Sequence, residues 1–141
     1  MGIIRDSDRA AIQKQLEGLI KPVRLVNFSQ ELECQYYSET SQLVNELGEL
    51  SDQITAEHYN FITDKEATQD YKIEQIPATV IMGDEDIGIR YYGIPGGYEF
   101  ATLLEVIKMV SNGESGLSPQ TKGFLKELTE PVNLKVFVTP T

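Results

Sequence analysis

The chain has one cysteine, Cys34, and one histidine, His58, among its 141 residues. A single cysteine excludes an internal disulfide framework, so cysteine usage gives no sign of secretion. It also leaves no second thiol to resolve a mixed disulfide within the chain. His58 has no neighbouring cysteine or second histidine, so no metal cluster is expected and it reads as a surface or half-buried strand residue. No cofactor is expected either. Positive charge is scarce: 12 Lys and Arg against 22 Asp and Glu give a net charge of -10. Nucleic acid is therefore not an expected partner, because phosphate binding takes clustered basic side chains. No segment approaches the ~18 consecutive apolar residues of a membrane span, and Met1-Gly2-Ile3-Ile4-Arg5-Asp6 holds no signal-like apolar core. A cytoplasmic location without membrane attachment is the expectation.

What is present reads as ordinary globular sequence, long enough to bury a core without staples. Ile12, Leu16, Leu19 and Ile20 make a helical stripe over residues 8–20, capped by Asp6 or Ser7 and stopped by Pro22. Residues 23–28 (Val-Arg-Leu-Val-Asn-Phe) form a largely buried strand. The glycosylation-like triplet Asn27-Phe28-Ser29 falls inside it and reads as accidental. A polar loop leads to Cys34, after which Leu43, Val44, Leu47 and Leu50 return to helical spacing. Cys34 is thus expected at a strand-to-helix junction.

Residues 54–62 read as a second strand and 64–71 as a short polar helix or turn. Residues 79–82 and 87–92 flank Gly83-Asp84-Glu85-Asp86 as a hairpin whose acidic turn is solvated. Gly93-Ile94-Pro95-Gly96-Gly97 is a turn before a helix striped by Phe100, Leu103, Leu104, Ile107 and Val110. The order predicts a mixed four-stranded sheet covered by helices, the first pair of strands parallel and the last pair antiparallel. Residues 112–116 read as a linker, Ser118-Pro119 as a helix start, and residues 134–138 as a strand with no partner to follow it. The expected division is 1–111 and 112–141, the latter being linker, helix and first strand of a further unit.

Glu33-Cys34-Gln35-Tyr36-Tyr37, Ile76-Pro77-Ala78-Thr79, Arg90-Tyr91-Tyr92-Gly93-Ile94-Pro95, Glu99-Phe100 and the closing Val136-Phe137-Val138-Thr139-Pro140-Thr141 together carry a resemblance. The chain resembles the N-terminal half of the glutaredoxin-like protein disulfide oxidoreductases, which consist of two tandem thioredoxin-fold units. The N-terminal domain of the flavoprotein subunit of alkyl hydroperoxide reductase is a related arrangement. The resemblance implies an α/β thioredoxin-like fold and a second unit with a Cys-Pro-Tyr-Cys motif after Thr141. It also implies a cis Ile76-Pro77 bond facing the redox cysteine, where the exposed backbone of Ile76 pairs with an extended substrate. The family's first unit commonly carries a full Cys-x-x-Cys, and here Tyr37 replaces its second cysteine.

Cys34 is accordingly the candidate nucleophile, at most a monothiol. A helix N-terminus lowers a thiol's pKa, and Glu31 and Glu33 oppose that by like charge. Gln35, Tyr36, Tyr37, Ile76 and Pro77 are the candidate substrate-binding residues. Tyr91 and Tyr92 alternate on a strand and cannot both join them. Protein disulfides or glutathione are the expected substrates. The alternative is a non-catalytic scaffold or binding unit, and self-association through residues 134–138 is a further expectation.

Overall fold

The computed structural model describes residues 2–30 and 35–139, with the backbone alone for 35–38. In chain order the elements are α1 (Asp6–Leu16), β1 (Val23–Ser29), α2 (Gln35–Leu50), β2 (Ile54–Asn60), α3 (Lys65–Asp70), β3 (Ala78–Met82), β4 (Ile89–Tyr92), α4 (Tyr98–Asn112) and α5 (Pro119–Lys126). The strands form one sheet in the order β2-β1-β3-β4, parallel between β1 and β2 and antiparallel elsewhere. This is the mixed, helix-flanked sheet that the order of elements predicts.

The sheet separates two apolar layers because β1 has apolar side chains on both of its faces. Val23 and Leu25 join α1, α2 and α4 through Ile12, Leu16, Leu43, Leu47, Leu103 and Ile107. Val26 and Phe28, on the opposite face, join Val80, Met82 and Ile73, with Tyr59 and Tyr71 packed against them. Phe28 stacks on Tyr59 with ring centroids 5.3 Å apart and meets Tyr71 edge-on at 5.6 Å. Each fully buried Leu, Ile or Phe contributes about 1.5–3 kcal/mol relative to an exposed one, so the two layers carry most of the fold's stabilisation.

Several boundaries differ from the sequence expectation. α1 ends at Leu16 rather than running to Ile20 and Pro22; Leu19 is still buried, but Ile20 is 70% exposed. Its N-cap is Arg5, without a side-chain cap bond, and Asp6 lies in the first turn. There its carboxylate faces the positive end of the helix dipole. β2 stops at Asn60, whose side-chain oxygen accepts from the backbone N–H of Ile62 and Thr63 while Asp64 accepts from the N–H of Asn60. This local bonding replaces the ladder that two more strand residues would need.

The largest difference is in the tail. Ser118 caps α5 as its sequence predicts, accepting from the N–H of Thr121. Residues 134–138, however, form no strand among the described residues, and Leu134, Val136, Phe137 and Val138 are all more than 80% exposed. Composition favours extension there, but a strand exists only as part of a hydrogen-bonded ladder.

Candidate functional site

The sheet register brings together the two segments that carry candidate residues. β1 and β3 are antiparallel neighbours with Phe28 opposite Ala78. The end of β1 that leads toward Cys34 therefore adjoins the start of β3, which follows Pro77 directly. α2 begins at Gln35, so its N-terminal turn follows that end of β1. Cys34, with residues 31–33, lies outside the described residues, as do the side chains of Gln35, Tyr36 and Tyr37.

The Ile76–Pro77 peptide bond is cis. Ile76 and Pro77 are both half-buried. The Pro77 carbonyl is engaged, accepting from the N–H of Gly93 at 2.9 Å. That bond ties the turn after β4 to the start of β3. Gly93 and Gly97 have positive φ values of 92° and 56°, a backbone that side chains with a Cβ resist, which accounts for glycine at those two positions. Pro95 is buried in this corner. Beyond it a groove of about 950 Å³ runs between residues 3–5, α1 and the first turns of α4.

Beneath this end of the sheet the α2-facing layer turns from apolar to polar. Val23 and Leu25 of β1 are followed on the same face by Asn27 and Ser29, and Ile81 of β3 is preceded on that face by Thr79. Asn27 is wholly buried; its amide group donates to the Ala78 carbonyl at 3.3 Å and to Thr79 Oγ1 at 3.2 Å. Its oxygen accepts from Ser41 Oγ of α2 at 2.9 Å, and Ser29 Oγ lies 3.4 Å from the same Ser41 oxygen. Among the described residues no buried side-chain nitrogen or oxygen lacks a partner. The sequence reading passed over Asn27 except as part of the sequon; an amide inside an apolar strand run was the available signal.

Two other polar clusters escaped the sequence reading. Glu46, 6% exposed, accepts from the N–H groups of Ile3 and Ile4 at 2.7 and 2.9 Å, from Gln42, and from Arg9. Burial alone raises its carboxyl pKa, but the bonds from Ile4 and Ile3, aided by Gln42 and Arg9, bring it below the ordinary value. Its signal was a charge among Leu43, Val44, Leu47 and Leu50. On the other face, Arg24 grips Glu57 with two bonds of 2.6 and 2.8 Å and also donates to the Tyr71 hydroxyl. Arg90 forks onto Asp86 and donates to the Tyr71 carbonyl. The Arg90 bonds hold Asp86 at a pKa of about 2, against the opposing effect of burial.

The remaining candidates separate as follows. Tyr91 packs against the α2-side core while Tyr92 is 50% exposed, so the two do face apart. His58 pairs through Nε2 with Asn45 Oδ1 at 2.7 Å. Among the described residues no group of three His, Cys, Asp or Glu is placed to hold a metal ion. No helix among them is long and apolar enough to cross a membrane.

No protein-family model matches the chain, and no curated protein matches it. Solved structures do. A protein disulfide oxidoreductase from Aeropyrum pernix K1 superposes with a TM-score of 0.79 at 28% identity, covering 88% of this chain and 55% of that one. The fold is thioredoxin-like. The NTD_N/C domain of the alkylhydroperoxide reductase AhpF from Enterococcus faecalis gives 0.76 at 24% identity, over 85% of this chain and 58% of that one. A thioredoxin from Fasciola hepatica gives 0.53 at 18% identity over 72% of this chain, a likeness of fold alone. The present chain thus spans a little over half the length of the first two, 55% and 58%.

Proposed function

We propose that this chain is a thioredoxin-fold unit of a protein disulfide oxidoreductase, in which Cys34 is at most a monothiol nucleophile. The observation that supports the reading is the register of β1 against β3, in which Phe28 near the end of β1 stands opposite Ala78, the residue after cis Pro77. The likeness to the Aeropyrum disulfide oxidoreductase supports it. In this reading the Cys34 thiolate attacks one sulfur of a substrate disulfide, a mixed disulfide forms, and the other substrate sulfur leaves as thiolate. Gln35, Tyr36, Tyr37, Ile76 and Pro77 border the substrate chain, whose extended backbone pairs with Ile76. The chain holds no second thiol, so release needs glutathione or a thiol of a second thioredoxin-like unit. We place the start of that unit in residues 112–141.

The test is Tyr37→Cys, which supplies the missing thiol. The folded variant should reduce protein disulfides with a chemical thiol as electron source, where the parent is slow or inactive. An inactive variant with native circular dichroism sinks the catalytic reading. A second reading, a non-catalytic unit supporting an active partner unit, is favoured by Tyr37 itself, which stands where a resolving thiol is needed. Cys34→Ser in the intact protein separates the two, because unchanged turnover belongs to the scaffold and lost turnover to the thiol. Self-association by pairing of residues 134–138 predicts a molar mass above the monomer's in solution.

A further inference from the structure

The polar cluster at Asn27 spans three elements at one point. Asn27 belongs to β1, Ser41 to the second turn of α2, and Ala78 and Thr79 to the first residues of β3. Elsewhere this layer is closed by apolar packing among Leu25, Leu43, Leu47, Ile81 and Ile107. Apolar contacts tolerate small sliding movements, whereas hydrogen bonds are directional and lose strength steeply when misaligned. A buried amide that uses both its oxygen and its NH2 group therefore fixes the distance and angle between its neighbours more tightly than a leucine there.

We propose that Asn27 is a positioning residue, whose carboxamide locks the N-terminal half of α2 to the Pro77 end of β3. It deepens the function proposed above and rests on that reading for its purpose, since those are the two walls between which an extended substrate would lie. The Ala78 carbonyl it holds belongs to the residue next to cis Pro77, and Ser41 lies on the helix that starts immediately after Cys34. Thr79 is directly opposite Asn27 in the register, so the amide and the hydroxyl form a cross-strand pair. The pair is closed to water: Asn27 is 0% exposed and Thr79 3%.

The experiment uses the whole chain and four variants. Asn27→Ala removes the hub, Thr79→Val removes one acceptor with little change of shape, Thr79→Ser restores it, and Val44→Ala weakens α2 packing without touching the cluster. Amide hydrogen exchange is followed in residues 35–41 and 76–80. The expected result is that Asn27→Ala and Thr79→Val accelerate exchange in both segments together, by about tenfold or more, as the loss of a buried hydrogen bond implies. Thr79→Ser should return both to parent rates, and Val44→Ala should accelerate α2 alone or the whole chain evenly.

Exchange that rises in only one segment, or that rises evenly in Asn27→Ala as in Val44→Ala, overturns the inference. So does a failure of Thr79→Ser to restore what Thr79→Val lost. The rate and pH profile of Cys34 alkylation by iodoacetamide are measured in parallel. If the two segments loosen together while Cys34 in the parent reacts no faster than a free cysteine, the thiol chemistry falls and the positioning role of Asn27 stands. If the Cys34 profile is perturbed in the parent but unmoved by Asn27→Ala, with exchange also unmoved, the reverse holds.

Discussion

α4 and α5 are both amphipathic, and they have opposite fates. α4 buries Leu103, Leu104 and Ile107 against α1, β1 and β3, and ends in a left-handed Gly113 with φ 71°. α5 is well capped by Ser118 and Pro119, yet Phe124 is 63% and Leu125 50% exposed, and every described residue after Ser111 is exposed. Capping and periodicity thus decide whether a segment can be helical. Whether its apolar stripe stabilises anything depends on a surface to meet, which periodicity does not encode.

Paired substitutions test this contrast, starting with the largest effect. Ile107→Ala should cost about 2–5 kcal/mol by urea denaturation, since it opens a cavity in a wholly buried site. Phe124→Ala should stay within about 0.5 kcal/mol, as for other exposed positions. Equal losses at the two sites would mean that α5 packs on the body in solution.

Next in size is Glu46, a buried carboxylate, where every described residue of the tail is exposed. Glu46→Ala strands the N–H groups of Ile3 and Ile4 and should cost about 1–3 kcal/mol. Because its folded pKa is lowered, the wild-type residue contributes stability that is present above the ordinary carboxyl range and lost as pH falls through the folded value. Glu46→Gln should flatten the acid limb of a stability-against-pH curve. Asp86 has the same sign, with its window between its ordinary 3.8 and about 2. Asp86→Asn should therefore remove pH dependence only below about pH 4. An acid limb unchanged in both variants would contradict these assignments.

The smallest effect contrasts α5 with a packed helix, α2, through the glycine inside each, Gly123 and Gly48. A Cβ at Gly48 would sit 3.5 Å from Ala56 Cβ in ordinary contact, and one at Gly123 would meet open space. Helix propensity favours alanine by about 0.5–1 kcal/mol at both. Gly48→Ala should appear as a higher global unfolding midpoint. Gly123→Ala should instead raise helical circular dichroism slightly and leave that midpoint where it was.

The legibility of the candidate site follows the same division. Cys34 and Pro77 were found because cysteine and proline are chemically singular residues. The expectation that they face each other came from the family resemblance rather than from the order of elements. Asn27 and Glu46 were missed because a polar residue in an apolar stripe looks like an interruption until its partners, 14 to 52 residues away for Asn27 and up to 43 for Glu46, are brought to it. The boundaries at Leu16 and Asn60 were missed for a local reason, since side-chain bonds and loose turns compete with regular structure on even terms.

By itself the sequence determined the mixed sheet, the buried β1, the capped α5 and the presence of a single thiol, because these depend on period, residue type and count. Tertiary structure decided which apolar stripes became core and left residues 134–138 without a ladder. It also turned isolated polar residues into the Asn27 and Glu46 clusters. Burial and hydrogen-bond satisfaction are properties of pairs far apart in the chain, so only the folded arrangement can assign them.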